Sequence, residues 1–103
     1  MSNSVNLALI GASGVVGKKI LKVIENKKIS IDNFYPIGNS SVGSEVFLNN
    51  EKYIISDLDS FDRSKINIAI FSAGSKVARK YAQSFVDENI YVIDMSSEFR
   101  YQE

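Results

Sequence analysis

The segment LALIGASGVVG, residues 7–17, decides the fold of this chain. Its first four residues form an unbroken apolar run, which is typical of a strand buried on both faces of a sheet. Glycines follow at positions 11, 14 and 17, and the next apolar residues recur at helical spacing. A buried strand, a glycine turn and an amphipathic helix in this order predict the opening of a dinucleotide-binding α/β domain.

The helix behind the glycines is expected to begin near Val16 and to end near Asn26. Lysines stand between its apolar residues, so the helix has one polar face and one apolar face. The apolar residues expected to face the sheet are Val16, Ile20, Val23 and Ile24.

The rest of the chain alternates between apolar runs and polar segments. Further strands are expected at residues 34–37, 66–71 and 90–93. Pro36 predicts that the first of these has an edge position or ends there. A hairpin is expected, with strands at residues 45–48 and 52–55 and its turn at Asn49 and Asn50. Residues 57–65 are polar and are expected to be irregular.

A second amphipathic helix is expected before the last strand, and Asn89 is expected to end it. Its apolar face is predicted to comprise Val77, Tyr81, Phe85 and Val86. Strands that alternate with helices need crossover connections, so the main sheet is predicted to be mostly parallel. The fold class is therefore α/β, a Rossmann-like doubly wound domain over residues 1–103. About two crossover helices cannot cover both faces of such a sheet, so later residues or a partner chain are expected to cover part of it.

Composition limits the functions open to the chain. The 103 residues carry a formal net charge of zero, so a nucleic-acid partner is not expected. No apolar run reaches the roughly 20 residues that cross a bilayer, and no signal peptide is evident, so a cytoplasmic location is the default expectation. The sequence contains neither cysteine nor histidine. A metal site, a disulfide and a Ser-His-Asp triad within these residues are therefore not expected.

Each glycine of the turn has a distinct predicted task. Gly11 allows the sharp exit from the strand, Gly14 lets a diphosphate approach the backbone, and Gly17 lets the helix lie close to the sheet. The diphosphate would bind the free N–H groups at the helix N-terminus. Ser13 can add a hydroxyl donor. A glycine-rich turn that serves packing alone is the alternative, whereas a P-loop is rejected because Gly-Lys is not followed by Ser or Thr.

The segment after the second strand is expected to select the cofactor. An NAD-specific site often has an acidic residue there, to bind the ribose hydroxyls. Asn39, Ser40 and Ser41 stand in this region without a carboxylate, which favours NADP. The lack of an arginine weakens that preference, so NAD stays possible, and a solvated serine loop is the alternative.

Three blocks of sequence, in order, resemble a known family. They are residues 8–17, residues 68–74 and residues 92–100, which reads VIDMSSEFR. Together with Ser41–Gly43 and the linker at residues 29–33, they are similar to the N-terminal domain of aspartate-semialdehyde dehydrogenase.

The resemblance implies a reaction and a set of site residues. The family reduces aspartyl 4-phosphate to the semialdehyde with NADPH and releases phosphate, in the branch that leads to lysine, threonine and methionine. Ser40 replaces the arginine that the family usually places at the 2′-phosphate. The implied cofactor-binding residues are Gly11, Ser13, Gly14, Val15, Val16, Ser40, Ser41, Ser72, Ala73 and Gly74, and Arg100 is implied to bind substrate phosphate.

The family's chemistry also needs groups that these residues lack. A cysteine thiolate attacks the acyl phosphate to give a thioester, and a histidine assists. In the family both lie downstream, in a C-terminal catalytic and dimerisation domain that is expected to be missing here. The full-length parent is therefore expected to be a homo-oligomeric enzyme, whereas this chain alone is not expected to catalyse the reaction.

Three rival interpretations stay open at this point. N-acetyl-glutamyl-phosphate reductase shares the fold and the acyl-phosphate chemistry. A non-catalytic module could use dinucleotide binding itself as its output. A truncated relic that binds nothing is the third possibility.

Overall fold

The computed structural model describes residues 4–95 and has the predicted α/β architecture. Its elements in chain order are β1 (Asn6–Ile10), α1 (Val15–Asn26), β2 (Asn33–Gly38), β3 (Glu45–Leu48), β4 (Glu51–Ile54), β5 (Ser56–Asp57), a 3₁₀ turn (Arg63–Lys65), β6 (Ile68–Phe71), α2 (Ser75–Asp87) and β7 (Tyr91–Asp94). Strands β5-β2-β1-β6-β7, in this order, form one sheet whose neighbours are all parallel. Strands β3 and β4 form a separate antiparallel hairpin.

The order of the strands creates a switch point beside β1. From β1 the chain crosses to β2 on one side, and it later returns to β6 on the other. Ligands of open α/β sheets bind outside the carboxyl ends of the strands at such a point. The Rossmann-like, doubly wound fold predicted from the sequence is confirmed, and its topology directs attention to the loops that follow β1, β2 and β6.

The two helices cover opposite faces of the sheet. Leu7 and Leu9 of β1 pack with Leu21 and Ile24 of α1 in one hydrophobic core. The alternate residues of the same strand, Ala8 among them, belong to a second core with α2. Successive strand residues point to opposite faces, so β1 is buried on both sides, as its unbroken apolar run predicts.

Helix α2 packs through the predicted aromatic residues. Phe85 is fully buried and meets Phe71 edge to face, with 5.2 Å between the ring centroids. Tyr81 is also buried, and its hydroxyl donates to Asp59 Oδ1 at 2.6 Å, which raises the pKa of Tyr81. The prediction for Val86 is wrong, because this side chain is about half exposed at the rim of the contact.

The buried face of α1 differs from the predicted one. Gly17, Leu21 and Ile24 face the sheet, whereas Val23 is 50% exposed. Because Gly17 has no side chain, the helix approaches the strand on that side, and its contact face is centred there. The apolar stripe of α1 is therefore wider than the surface that the sheet covers, and part of it stays open.

Pro36 was expected at an edge or a boundary, yet β2 lies inside the sheet between β1 and β5. The carbonyl of Ile37 accepts from Gly11 N–H and so points to β1. Backbone groups alternate in direction along a strand, so the nitrogen of Pro36 points to the other side. Strand β5 pairs only with Ile37 and Gly38, and the missing N–H of Pro36 therefore costs the ladder nothing.

The hairpin is confirmed, with β4 beginning one residue earlier than expected. Asn49 and Asn50 form its two-residue turn, and both have positive φ, 53° and 67°. That is the geometry of a type I′ turn, which asparagine tolerates. Strand β5 was missed, because a two-residue strand has too short a pattern to be recognised in a polar segment.

No helix within residues 4–95 is long and apolar enough to cross a membrane.

Candidate functional site

The turn that leaves β1 depends on Gly11. Its φ is +92°, a region that side chains disfavour, and its N–H donates to the carbonyl of Ile37 at 2.8 Å. A Cβ at this position would lie 2.8 Å from the backbone nitrogen and Cα of Ala73. Gly11 therefore holds the loop after β1 directly against the loop after β6.

Gly17 sets the distance between α1 and the sheet. A Cβ here would overlap the carbonyl oxygen of Gly11 and would lie 2.9 Å from Ala12 Cα. Both are backbone atoms of half-buried or buried residues. No flexible side chain could therefore move aside to make space for the added carbon. The predicted role of Gly17 in close helix–sheet packing is confirmed.

Gly14 differs from its two neighbours in the motif. It is the N-cap of α1, with φ −79° and ψ 176°, an extended conformation open to any residue. A Cβ here would meet only Gly11 O at 3.5 Å, which is ordinary van der Waals contact. Gly14 is also exposed. Neither backbone conformation nor packing within the described residues explains why this position is glycine.

The first turn of α1 presents backbone N–H groups without intrahelical acceptors. The first helical bond in this turn runs from Lys18 N–H to Gly14 O at 2.9 Å. The amides of Val15, Val16 and Gly17 precede it, and no side chain caps the helix. The helix dipole adds partial positive charge at this end. The N-terminus of α1 is therefore suited to an anion, as the sequence predicts.

Two predicted site residues bind each other. Ser13 Oγ donates to Ser41 Oγ at 2.9 Å, and both residues are half-buried. The hydrogen bond joins the loop after β1 to the loop after β2, which are 28 positions apart in sequence. The two hydroxyl groups expected at the diphosphate and the 2′-phosphate thus lie within one hydrogen bond of each other.

Ser72 supports the glycine turn from β6. Its hydroxyl donates to the carbonyls of Ile10 and Gly11, at 2.9 and 3.3 Å, and its N–H donates to Ile10 O at 2.8 Å. Gly74 follows as the N-cap of α2, with φ +109°. The Ser72–Gly74 loop is thus fixed against β1, and Ser72 positions the loop that carries Gly11.

These loops enclose one crevice of about 230 Å³ at the carboxyl ends of β1, β2 and β6. Its walls include Asn39 and Gly38, which were not among the predicted binding residues. Their place directly after β2 is the signal that could have identified them. The predicted residues that line the crevice are Gly11, Ser13, Gly14, Ser40, Ser41, Ser72 and Ala73.

Three predicted cofactor residues are not among those that line the crevice. Val15 is 73% exposed, and Val16 turns its side chain to the open face of α1. Gly74 lies just outside, at the start of α2. For Val15 and Val16 the available groups are their backbone amides. Arg100 lies outside the described residues.

The crevice has no charged side chain among its lining residues. Hydroxyl groups, the amide of Asn39 and backbone N–H groups supply its polarity. Over residues 4–95, no group of three or more potential metal-ligating side chains comes together. Among residues 4–95, the groups in the crevice wall that can attract an anion are therefore backbone dipoles and neutral donors.

Comparison with known proteins points to one family. Residues 6–103 match the family described as semialdehyde dehydrogenase, NAD binding domain. The aspartate-semialdehyde dehydrogenase of Legionella pneumophila is 39% identical, over 100% of this chain and 30% of the relative. That of Rickettsia bellii is 38% identical, over 100% of this chain and 31% of the relative. The chain thus spans about a third of the length of these relatives.

Solved structures agree with the sequence comparisons. The aspartate semialdehyde dehydrogenase II of Vibrio cholerae, in a crystal structure described as complexed with ASA, superposes with a TM-score of 0.87 and 31% identity. The match covers 97% of this chain and 33% of that one. A probable aspartate-semialdehyde dehydrogenase from Pseudomonas aeruginosa gives a TM-score of 0.87 at 26% identity, over 92% of this chain and 29% of that one.

Adding a methyl group at Gly17 and adding one at Gly14 should have different effects on stability. Gly17→Ala is expected to lower the free energy of unfolding by about 2 kcal/mol or more, because the added carbon overlaps fixed backbone atoms. Gly14→Ala is expected to change it by less than about 1 kcal/mol, since only the loss of a favourable N-cap residue is involved. Urea denaturation followed by circular dichroism measures both. Equal losses of stability in the two variants would contradict this account.

Proposed function

The chain belongs to the semialdehyde dehydrogenase family, as its NAD-binding domain, and on that premise we propose that it binds NADP through the crevice at the switch point. The diphosphate lies over the N-terminus of α1 and accepts from the amides of Val15, Val16 and Gly17. The adenosine ribose lies against Asn39, Ser40 and Ser41. When bound, the cofactor supplies a hydride donor and acceptor; the chain itself binds and orients it.

The observation that carries this proposal is the glycine at position 14. Its extended backbone and its free surroundings would accept any side chain. An outside group that must come within contact distance of this backbone accounts for the missing Cβ. The uncapped start of α1 lies at the same point, and its dipole favours a negative group. A diphosphate satisfies both requirements.

The preference for NADP rests on the loop after β2. No acidic residue occurs between Gly38 and Ser44, so a 2′-phosphate meets no like charge there. Ser40 is exposed and available to donate to it, and Ser41, which accepts from Ser13, keeps its own hydroxyl hydrogen to donate as well. Because a hydrogen bond from a neutral hydroxyl contributes less binding free energy than one from a charged arginine, the preference for NADP is modest.

For the full-length protein we propose the reaction of aspartate-semialdehyde dehydrogenase: aspartyl 4-phosphate and NADPH give the semialdehyde, phosphate and NADP. The names of the relatives reported above favour this substrate over N-acetyl-glutamyl phosphate. The nucleophilic cysteine and the assisting histidine come from outside these 103 residues, which contain neither. Phosphate binding by Arg100, homo-oligomer formation and a cytoplasmic location remain predictions for the full-length protein.

A negative charge at position 14 should have opposite effects on stability and on cofactor affinity. In Gly14→Asp the carboxylate is expected to cap α1 and to raise the free energy of unfolding by about 0.5 kcal/mol. The same charge repels the diphosphate, so affinity for NADPH should fall at least about tenfold. Denaturation and isothermal titration calorimetry measure the two effects. Ser44→Asp, which adds the same charge outside the crevice, is the matched control; unchanged NADPH affinity in Gly14→Asp would refute the proposed binding mode.

A charge at position 40 should change cofactor preference. Ser40→Arg is expected to raise the affinity for NADPH relative to NADH about tenfold, because a guanidinium forms charge-assisted hydrogen bonds to a phosphate. Ser40→Asp should shift the ratio towards NADH. Fluorescence titration with both cofactors gives the ratio, and Val42→Arg, on an exposed neighbour outside the crevice, is the control. If Ser40→Arg raised the affinities for NADPH and NADH equally, Ser40 would not lie at the 2′-phosphate.

The catalytic activities of this chain and of the full-length protein can be compared directly. The 103-residue chain is expected to show no reduction of NADP with aspartate semialdehyde and phosphate, because it lacks a thiolate. The full-length polypeptide from the same reading frame should turn over. Phosphate-dependent turnover by the 103-residue chain would show that the nucleophile is of another kind.

A further inference from the structure

Asn39 and Ser40 stand next to each other in the wall of the crevice, directly after β2. Both are exposed, in a bend that follows the strand. Asparagine is a thermally labile residue, because the backbone nitrogen of the next residue can attack its side-chain carbonyl carbon. A small next residue leaves that nitrogen accessible. In residues 4–95, Asn39 is the one asparagine that is followed by glycine or serine.

No hydrogen bond holds either of the reacting groups in place. Within residues 4–95, the side-chain amide of Asn39 has no hydrogen-bond partner, and the N–H of Ser40 has no acceptor. The loop is anchored on either side of them. Gly38 O accepts from the N–H of the residue after β5 at 2.9 Å, and Ser41 Oγ accepts from Ser13 Oγ at 2.9 Å. Asn39 and Ser40 are therefore the unanchored pair between two fixed points.

The asparagines at the opposite, amino-terminal end of the sheet are held by contrast. Asn33 Nδ2 donates to Asn6 Oδ1 at 2.8 Å, and Asn67 Oδ1 accepts from Asn6 N–H at 2.9 Å. Asn67 Nδ2 donates in turn to Ser4 O at 2.8 Å. Both polar atoms of the Asn67 amide are thus bonded, so this amide cannot rotate freely towards the next backbone nitrogen. Each of these three asparagines is also followed by a large apolar residue of a strand.

We propose that Asn39 is a deamidation site, and that its conversion to a carboxylate shifts the crevice from NADP towards NAD. This rests on the proposed function, in which the adenosine ribose lies against Asn39. The Ser40 nitrogen gives its proton to solvent and forms a bond to Asn39 Cγ. The side-chain nitrogen takes a proton back from solvent and leaves as ammonia. Water then opens the cyclic imide at either carbonyl to give aspartate or isoaspartate, so the net reaction consumes water, releases ammonia and needs no oxidant or reductant.

The product adds a negative charge to a crevice whose lining residues carry no charged side chain. A carboxylate directly after β2 occupies the place of the acidic residue that binds the ribose hydroxyls in many NAD sites. The same carboxylate repels a 2′-phosphate on that ribose, because two negative charges so close together are incompletely screened by salt. Aspartate and isoaspartate carry the same charge, so both products change the cofactor preference in the same direction.

Peptide mass spectrometry tests the chemical step. The full-length polypeptide is incubated at mildly alkaline pH, and the conversion of amide to acid is followed at each asparagine. Asn39 is expected to convert at least about tenfold faster than Asn67, because reaction at a bonded amide waits for local opening of the structure. Conversion of Asn39 that is no faster than that of Asn67 would overturn the proposal.

Cofactor affinity tests the consequence. During the incubation of wild-type protein, the ratio of NADPH affinity to NADH affinity, measured by fluorescence titration, should fall in proportion to the conversion of Asn39. Asn39→Asp carries the charge of the product from the start, and its ratio should be at least about tenfold below that of fresh wild-type protein. Asn39→Gln keeps an amide but must close a larger ring, so its own ratio is expected to stay the same before and after incubation. Asn3→Gln removes the other Asn-Ser pair of these 103 residues, and its ratio should fall as that of wild-type protein does.

The contrary outcomes can be told apart. An equal fall of the ratio in incubated Asn39→Gln would assign the effect to another residue and overturn the proposal. A ratio for Asn39→Asp equal to that of fresh wild-type protein would overturn it as well. NADPH that does not bind fresh wild-type protein would instead refute the proposed function, and rapid conversion of Asn39 in the same samples would still establish the deamidation site.

Discussion

The close contact between Gly17 and the backbone of Gly11 and Ala12 is the constraint on which the rest of this structure depends. It leaves no space for a Cβ, and it brings the first turn of α1 against the end of β1. The free amides of that turn then point to the carboxyl ends of the strands.

The loops around the crevice hold one another in place. Gly11 abuts Ala73, Ser72 donates to the turn from β6, and Ser13 joins the loop after β2. Three loops from three strands thus restrain one another through backbone contacts and neutral hydrogen bonds. Preorganised donors of this kind bind an anion without having to be ordered first. In the proposed binding mode, such donors would let a chain of zero net charge bind a strongly anionic cofactor.

An apolar groove of about 370 Å³ lies along the other side of α1, with Val16, Ile20 and Val23 in its lining. Because α1 is centred over β1 and β2 on its glycine side, its valine side is left beside β6 and β7. The molecule therefore has two recesses of opposite character. The polar one lies at the ends of the strands, whereas the apolar one lies on a sheet face.

The sequence by itself determined the kinds of elements, their order and the position of the crevice. Unbroken apolar runs, the 3.6-residue period and the spacing of the glycines are local properties, and they were sufficient for α1, α2, β1, the hairpin and the parallel sheet. Only the tertiary structure decided which face of α1 contacts the sheet and that Pro36 is tolerated inside the sheet. It also decided that β5 forms and that Ser13 binds Ser41. These depend on contacts between residues far apart in the chain, and local periodicity carries no information about which distant backbone a side chain will meet.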